Sequence, residues 1–71
     1  MKLFVVEGFI RCGHRVYSLK KYIIARTKSE AKETYKLENP NAKMVTVEYR
    51  YEVQRKDGPY VIAQEFRKEA K

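Results

Sequence analysis

Apolar side chains fall on both parities of residues 2–11: Leu3, Val5 and Phe9 on one, Phe4, Val6 and Ile10 on the other. A strand patterned this way is buried on both faces, so it belongs in the interior of its sheet. A central strand needs partners on both sides, and the remaining residues must supply them. Cys12-Gly13-His14 makes a short turn in which Gly13 can take positive φ. Arg15 to Arg26 is the return strand of a hairpin, since Val16, Tyr17, Tyr22, Ile23 and Ile24 suit a pleated surface. Ser18, Lys20 and Lys21 interrupt it, as in an edge strand protected by charge.

The period then changes. Thr27 with Glu30 forms a capping box, and Ala31, Tyr35 and, at its margin, Leu37 give a narrow apolar stripe with helical spacing. Asn39-Pro40-Asn41 ends the helix, because the residue before proline is pushed out of the α region. The segment from Lys28 to Glu38 is too short to be stable alone and must dock on the sheet. From Met44 to Gln54, Val45, Val47, Tyr49, Tyr51 and Val53 alternate with Thr46, Glu48, Arg50, Glu52 and Gln54. That is a strand with one core face and one wet face. Arg55-Lys56-Asp57-Gly58-Pro59 reads as a turn, and Tyr60 to Phe66 as a fourth strand.

The expected fold is α+β: a single β-β-α-β-β domain over residues 1–71, with 67–71 a frayed basic tail. A right-handed crossover through the helix sets the third strand beside the first, for a sheet order of 2-1-3-4. The single helix packs on one face and leaves much of the sheet uncovered. The open area is then a binding surface or an oligomer contact.

Composition narrows the function classes. At 44% apolar the chain is too hydrophobic for intrinsic disorder. The run Leu3-Phe4-Val5-Val6 stops at Glu7, too short for a signal-peptide core, and no stretch is long enough to span a membrane. Cys12 is the lone cysteine, which favours a reducing compartment, and a cytoplasmic location is expected (the host's, if the protein is viral). Cys12 and His14 are too few for a metal site and lack an orienting third group for nucleophilic catalysis. The carboxylate pairs Glu30/Glu33 and Glu48/Glu52 read as solvated surface, and Gly8, Gly13 and Gly58 are too dispersed for a phosphate loop. A non-enzymatic module without cofactor, metal or small-molecule substrate is the expectation.

Sixteen Lys and Arg against nine Asp and Glu leave a formal charge of +7, the one positive functional signal. Lys28, Lys32 and Lys36 recur every four residues and form a stripe along the helix, an arrangement that costs helix stability. Arg11, His14 and Arg15 cluster at the hairpin tip, Lys20 and Lys21 lie on the return strand, and Arg26 meets Arg55 and Lys56 at the opposite end. Such residues serve either as a solvated surface or as a polyanion-binding face. Six tyrosines and three phenylalanines suggest stacking on nucleic-acid bases, but Phe4, Phe9, Tyr49 and Tyr51 sit at core-compatible parities and core packing is the stronger expectation.

The stretch Phe4-Val5-Val6-Glu7-Gly8-Phe9-Ile10-Arg11, followed by Gly13, Lys20 or Lys21, Ala25, Glu30-Ala31, Glu33 and Tyr35, resembles the archaeal LX ribosomal protein family. The likeness covers the first half of the chain and implies a ββαβ order and contact with ribosomal RNA. Beyond Leu37 the family's Gly-Ser-x-His segment is replaced by Glu38-Asn39-Pro40-Asn41-Ala42. The outline, with Thr27, Glu30 and Ala31 opening the helix, is also similar to small podophage proteins that inhibit host RNA polymerase. These likenesses imply a viral or prophage-type accessory protein that docks on the host's nucleic-acid machinery, or else a direct RNA- or DNA-binding module. A sheet edge also offers a homodimer contact.

Overall fold

Five elements form where the two hydrophobic periods set them: β1 (Lys2–Cys12), β2 (Arg15–Ala25), α1 (Lys28–Glu38), β3 (Lys43–Glu52) and β4 (Tyr60–Lys68). The architecture is that of a computed structural model, which describes residues 1–68. Residues 69–71 of the expected tail lie outside the described residues, whereas Arg67 and Lys68 belong to β4 and pair with Ser18 and Tyr17. One antiparallel sheet of order β3-β1-β2-β4 carries the helix, an α+β fold.

β1 lies in the interior, flanked by β2 and β3, as its doubly apolar pattern requires. Leu3, Phe4, Val5 and Val6 are all buried. The edge position expected for β2 is a correction, because β4 pairs with β2 and not with β3. β2 is itself apolar on both faces, with Leu19 and Ile23 on one and Tyr22 and Ile24 on the other. Its lysines do not guard an edge; they are matched by carboxylates. Lys20 lies in register between Glu7 and Glu65, and Lys21 pairs with Glu38 of the helix.

The segment 53–59 is correspondingly a crossing connection, not a hairpin. The Val53 amide donates to the Met1 carbonyl at 2.9 Å, which leads the chain across the end of β1. Crossing from one sheet edge to the other spans three strand spacings, roughly 14 Å, within the roughly 23 Å that seven residues can reach.

The helix begins at Thr27, whose hydroxyl accepts from the Glu30 amide at 3.1 Å. Glu30 reaches back one residue further than a simple capping box, accepting from the Arg26 amide at 2.7 Å. Asn39 closes the other end by donating its backbone amide to the Tyr35 carbonyl at 3.0 Å. Ala31 and Tyr35 are fully buried, but Leu37, expected at the margin of the stripe, is 80% exposed.

Tyr35 docks the helix. Its ring enters the cluster of Phe4, Val6, Leu19, Ile23, Ala25 and Ala42, and its hydroxyl donates to the Leu19 carbonyl at 2.8 Å. Gly8 makes the room, since a Cβ there would stand 2.9 Å from the Tyr35 oxygen and 3.0 Å from a Val45 methyl. Burial raises the Tyr35 pKa above 10.0; the Gly8 backbone amide pulls it down, and the Glu7 charge adds to the rise.

Two irregularities reshape the edges. Between Leu3/Phe4 and their partners Tyr51/Tyr49, Arg50 is an extra residue, so the alternation expected from Met44 to Gln54 reverses after it. Tyr51 therefore shares a face with Leu3, and Tyr49 with Phe4. A matching shift at Ile62 lies on the β4 edge. On the face without a helix, Leu3 and Tyr22 line a shallow cleft of about 280 Å³ with Arg50, Tyr51, Ile62 and Ala63. The cleft is lined from all four strands, so side chains of both edge strands reach this face and help to bury Leu3, Val5 and Ile24 without a covering element.

Gly8→Ala is expected to lower stability by about 1–3 kcal/mol, because the new methyl overpacks a fully buried site; chemical denaturation measures it. Tyr35 is neutral in both folded and unfolded chains below pH 10, where its contribution is complete. As pH rises from 10 towards the raised native pKa, only the unfolded chain ionises, so stability is lost. Melting curves from pH 8 to 11 are expected to fall more steeply above pH 10 in the wild type than in Tyr35→Phe.

Candidate nucleic-acid interface

The rotation of the helix about its axis decides where its charges go. With Ala31 and Tyr35 against the sheet, Lys32 and Lys36 each lie one residue, about 100°, further round. They project over β3, whereas Glu38 on the opposite flank reaches Lys21 of β2. The helix is thereby divided, basic towards the β3 edge and acidic towards β2.

Over the C-terminal half of the helix, this flank opens into a groove of about 970 Å³. Arg11, Lys32, Lys36 and Lys43 line it, together with Phe9, Val16, Met44 and Val45, and no carboxylate does. The groove exists because β1 runs past the start of β3: Phe9 is the last β1 residue paired with β3, opposite Lys43. Met44 enters β3 with φ 54°, a left-handed conformation opposite Gly8, and leaves its side chain exposed at the groove. The Lys36 ammonium is steered to the rim by the Ala42 carbonyl, 3.4 Å away.

At the other end of the helix, Lys2, Arg26, Thr27 and Lys28 surround Phe4 and Tyr49 in a second depression of about 450 Å³. Arg26 also meets Lys2, Arg55 and Lys56 below it, which realises the expected meeting of Arg26, Arg55 and Lys56. Arg55 lies over the Tyr60 ring, 4.8 Å from its centre. The stripe Lys28-Lys32-Lys36 therefore joins two cation-lined depressions along one seam between α1 and β3.

Not every expected residue joins this surface. Lys21 is only 5% exposed and is consumed by Glu38, so it is removed from the interface. Lys20 stands between two acidic neighbours on the face away from the helix. His14 and Arg15 are exposed at the hairpin tip, and of that cluster only Arg11 lines the groove. Arg26 keeps Glu30 at 3.6 Å and remains largely exposed.

Sequence patterning missed Lys2, Lys43 and Tyr49. The first two lie at strand ends where no periodicity marks them, although Lys43 follows directly on the helix-ending loop. Tyr49 and Tyr51, expected in the core, are 45% and 58% exposed. No group of three or more His, Cys, Asp or Glu gathers among the described residues. What the seam offers chemically is a row of cations for an extended polyanion. Comparisons with family models, with curated proteins and with solved structures found no match to this chain.

Replacing Lys21 by Met is expected to keep stability within about 1 kcal/mol of wild type or raise it, because the half-exposed Glu38 regains water. The same variant should bind polyanions as the wild type does; a loss equal to that of seam variants would return Lys21 to the interface.

Proposed function

We infer that this chain is a non-enzymatic nucleic-acid-binding module that takes a phosphate backbone along the α1–β3 seam. The observation that carries this reading is the groove lined by Arg11, Lys32, Lys36 and Lys43 without a carboxylate. Cations that served only solubility would be interspersed with acids, as they are on β2. Here the acids are spent elsewhere: Glu38 on Lys21, Glu52 on the N-terminus and Glu48 beside Arg50.

A second reading is supported by the face without a helix, where the half-exposed Tyr51 and Ile62 flank an apolar cleft. It makes the chain a viral or prophage-type accessory factor that anchors on a host protein of the nucleic-acid machinery. The two readings differ in salt dependence. Phosphate binding steepens the fall of log K with log salt by about 0.7 for each single-strand phosphate neutralised, so four groove cations give a slope near −3. Protein docking shows charge mainly in the association rate.

The triple variant Lys28→Glu, Lys32→Glu, Lys36→Glu is expected to lose about 100-fold or more in affinity for a labelled single-stranded RNA while keeping its circular dichroism spectrum. All three side chains lie outside the core, so the fold should survive. Fluorescence anisotropy across a salt titration measures both quantities; unchanged affinity in a folded triple variant would rule out the seam.

A further inference from the structure

The depression at the N-terminal end of the helix is lined by a half-exposed ring, that of Tyr49. Tyr49 packs edge-on against Phe4, with ring centres 6.0 Å apart and planes at 62°. Phe4 is buried and backs one side of the tyrosine, while nearly half of Tyr49 stays exposed. The rim is cationic on the helix side: Lys2, Arg26 and Lys28 line the same depression, and no acidic residue does. The Lys2 ammonium lies 3.4 Å from the Arg26 carbonyl, which holds it beside the depression.

The bulge explains why the ring is available here. With Arg50 as the extra residue, Tyr51 turns to the far face, and Tyr49 is left as the last aromatic of β3 on the seam side. A backbone following Lys36, Lys32 and Lys28 down the helix arrives at this ring.

We propose that the depression formed by Lys2, Phe4, Arg26, Thr27, Lys28 and Tyr49 is a base-stacking subsite for single-stranded nucleic acid. Tyr49 is the platform for one unpaired base, and Lys2, Arg26 and Lys28 take the phosphates on either side of it. The proposal rests on the phosphate-binding reading of the seam and adds strand selectivity to it. A base inside a duplex is already stacked on its neighbours and cannot lie on the ring. An unpaired base can, and because every base has a π-face the contact is tolerant of sequence. Rings held in this way contribute about 5- to 100-fold in affinity per base. Arg26 and Lys28 lie just before and just after the helix cap, so the capping contacts of Thr27 and Glu30 fix the backbone from which both side chains leave.

The test uses the whole chain with three probes: single-stranded oligothymidylate, a DNA duplex of equal length and inorganic polyphosphate. Tyr49→Leu keeps apolar packing on Phe4 but has no π-face. It is expected to weaken oligothymidylate binding about 5- to 100-fold while leaving polyphosphate within about twofold of wild type. Tyr49→Phe keeps wild-type affinity for both. Because the chain has no tryptophan, Tyr49→Trp places a single indole at the subsite. Its fluorescence is expected to be quenched by oligothymidylate, much less by duplex and not by polyphosphate.

If Tyr49→Leu binds oligothymidylate as tightly as wild type, or the indole is blind to it while binding persists, the stacking subsite is overturned and the seam reading stands. Equal loss of oligothymidylate and polyphosphate in Tyr49→Leu also overturns it, since the ring would then be structural. If the wild type binds none of the three probes, the seam reading itself fails and the subsite with it.

Discussion

The contact between Tyr35 and Gly8 governs the rest of the molecule. An eleven-residue helix has too few internal hydrogen bonds to persist alone, so its direction and rotation come from what it buries. Only Ala31 and Tyr35 are buried, and Tyr35 is the larger by far. Its hydroxyl must find a partner inside the core, and the Leu19 carbonyl supplies it only if the ring passes over a residue without a side chain. Gly8 is that residue, and the helix is thereby locked in rotation as well as position.

The placement of charge then follows from rotation. A helix turned by one residue would carry Lys32 and Lys36 away from β3 and break the pairing of Glu38 with Lys21. In the observed setting the acidic flank neutralises a lysine that the sheet has buried, and the basic flank has no acid to meet. Net charge alone does not make a polyanion site; +7 could be scattered harmlessly over a surface of this size. What concentrates it is the assignment of carboxylates to other tasks: capping the helix, pairing with Lys21 and holding the N-terminus.

Much of this arrangement is legible in the residues because the forces behind it are local. The helix runs from Lys28 to Glu38 as expected, since Thr27 and Asn39-Pro40 act within one turn of its ends. β1 is central because its two apolar parities can be satisfied in no other way. The position of β4 was not legible. A segment containing Asp57-Gly58-Pro59 reads as a tight turn, and the competing influence is long-range: β2 has two apolar faces and carboxylates waiting for both its lysines, so it accepts a second neighbour. The facing of Tyr49 and Tyr51 failed for a related reason, since one extra residue at Arg50 reverses every parity beyond it and no composition signal marks the bulge.

The same bulge separates two surfaces that a regular strand would have merged. Without Arg50 as an extra residue, Tyr49 and Tyr51 would stand on one face, stacked beside the helix. Instead one ring lies at the N-terminal end of a cationic seam and the other joins Ile62 on the face without a helix. β3 thus borders a cationic seam with a supported ring on one side, and an apolar cleft beside Glu48 and Arg50 on the other. A polyanion is attracted more strongly to the first, where several cations stand together, than to the second, where Arg50 is the one charged lining residue and has Glu48 beside it. A protein partner gains most from the second, where apolar area is open to burial. The two faces of one edge strand are therefore suited to different occupants, and binding on one side leaves the other available.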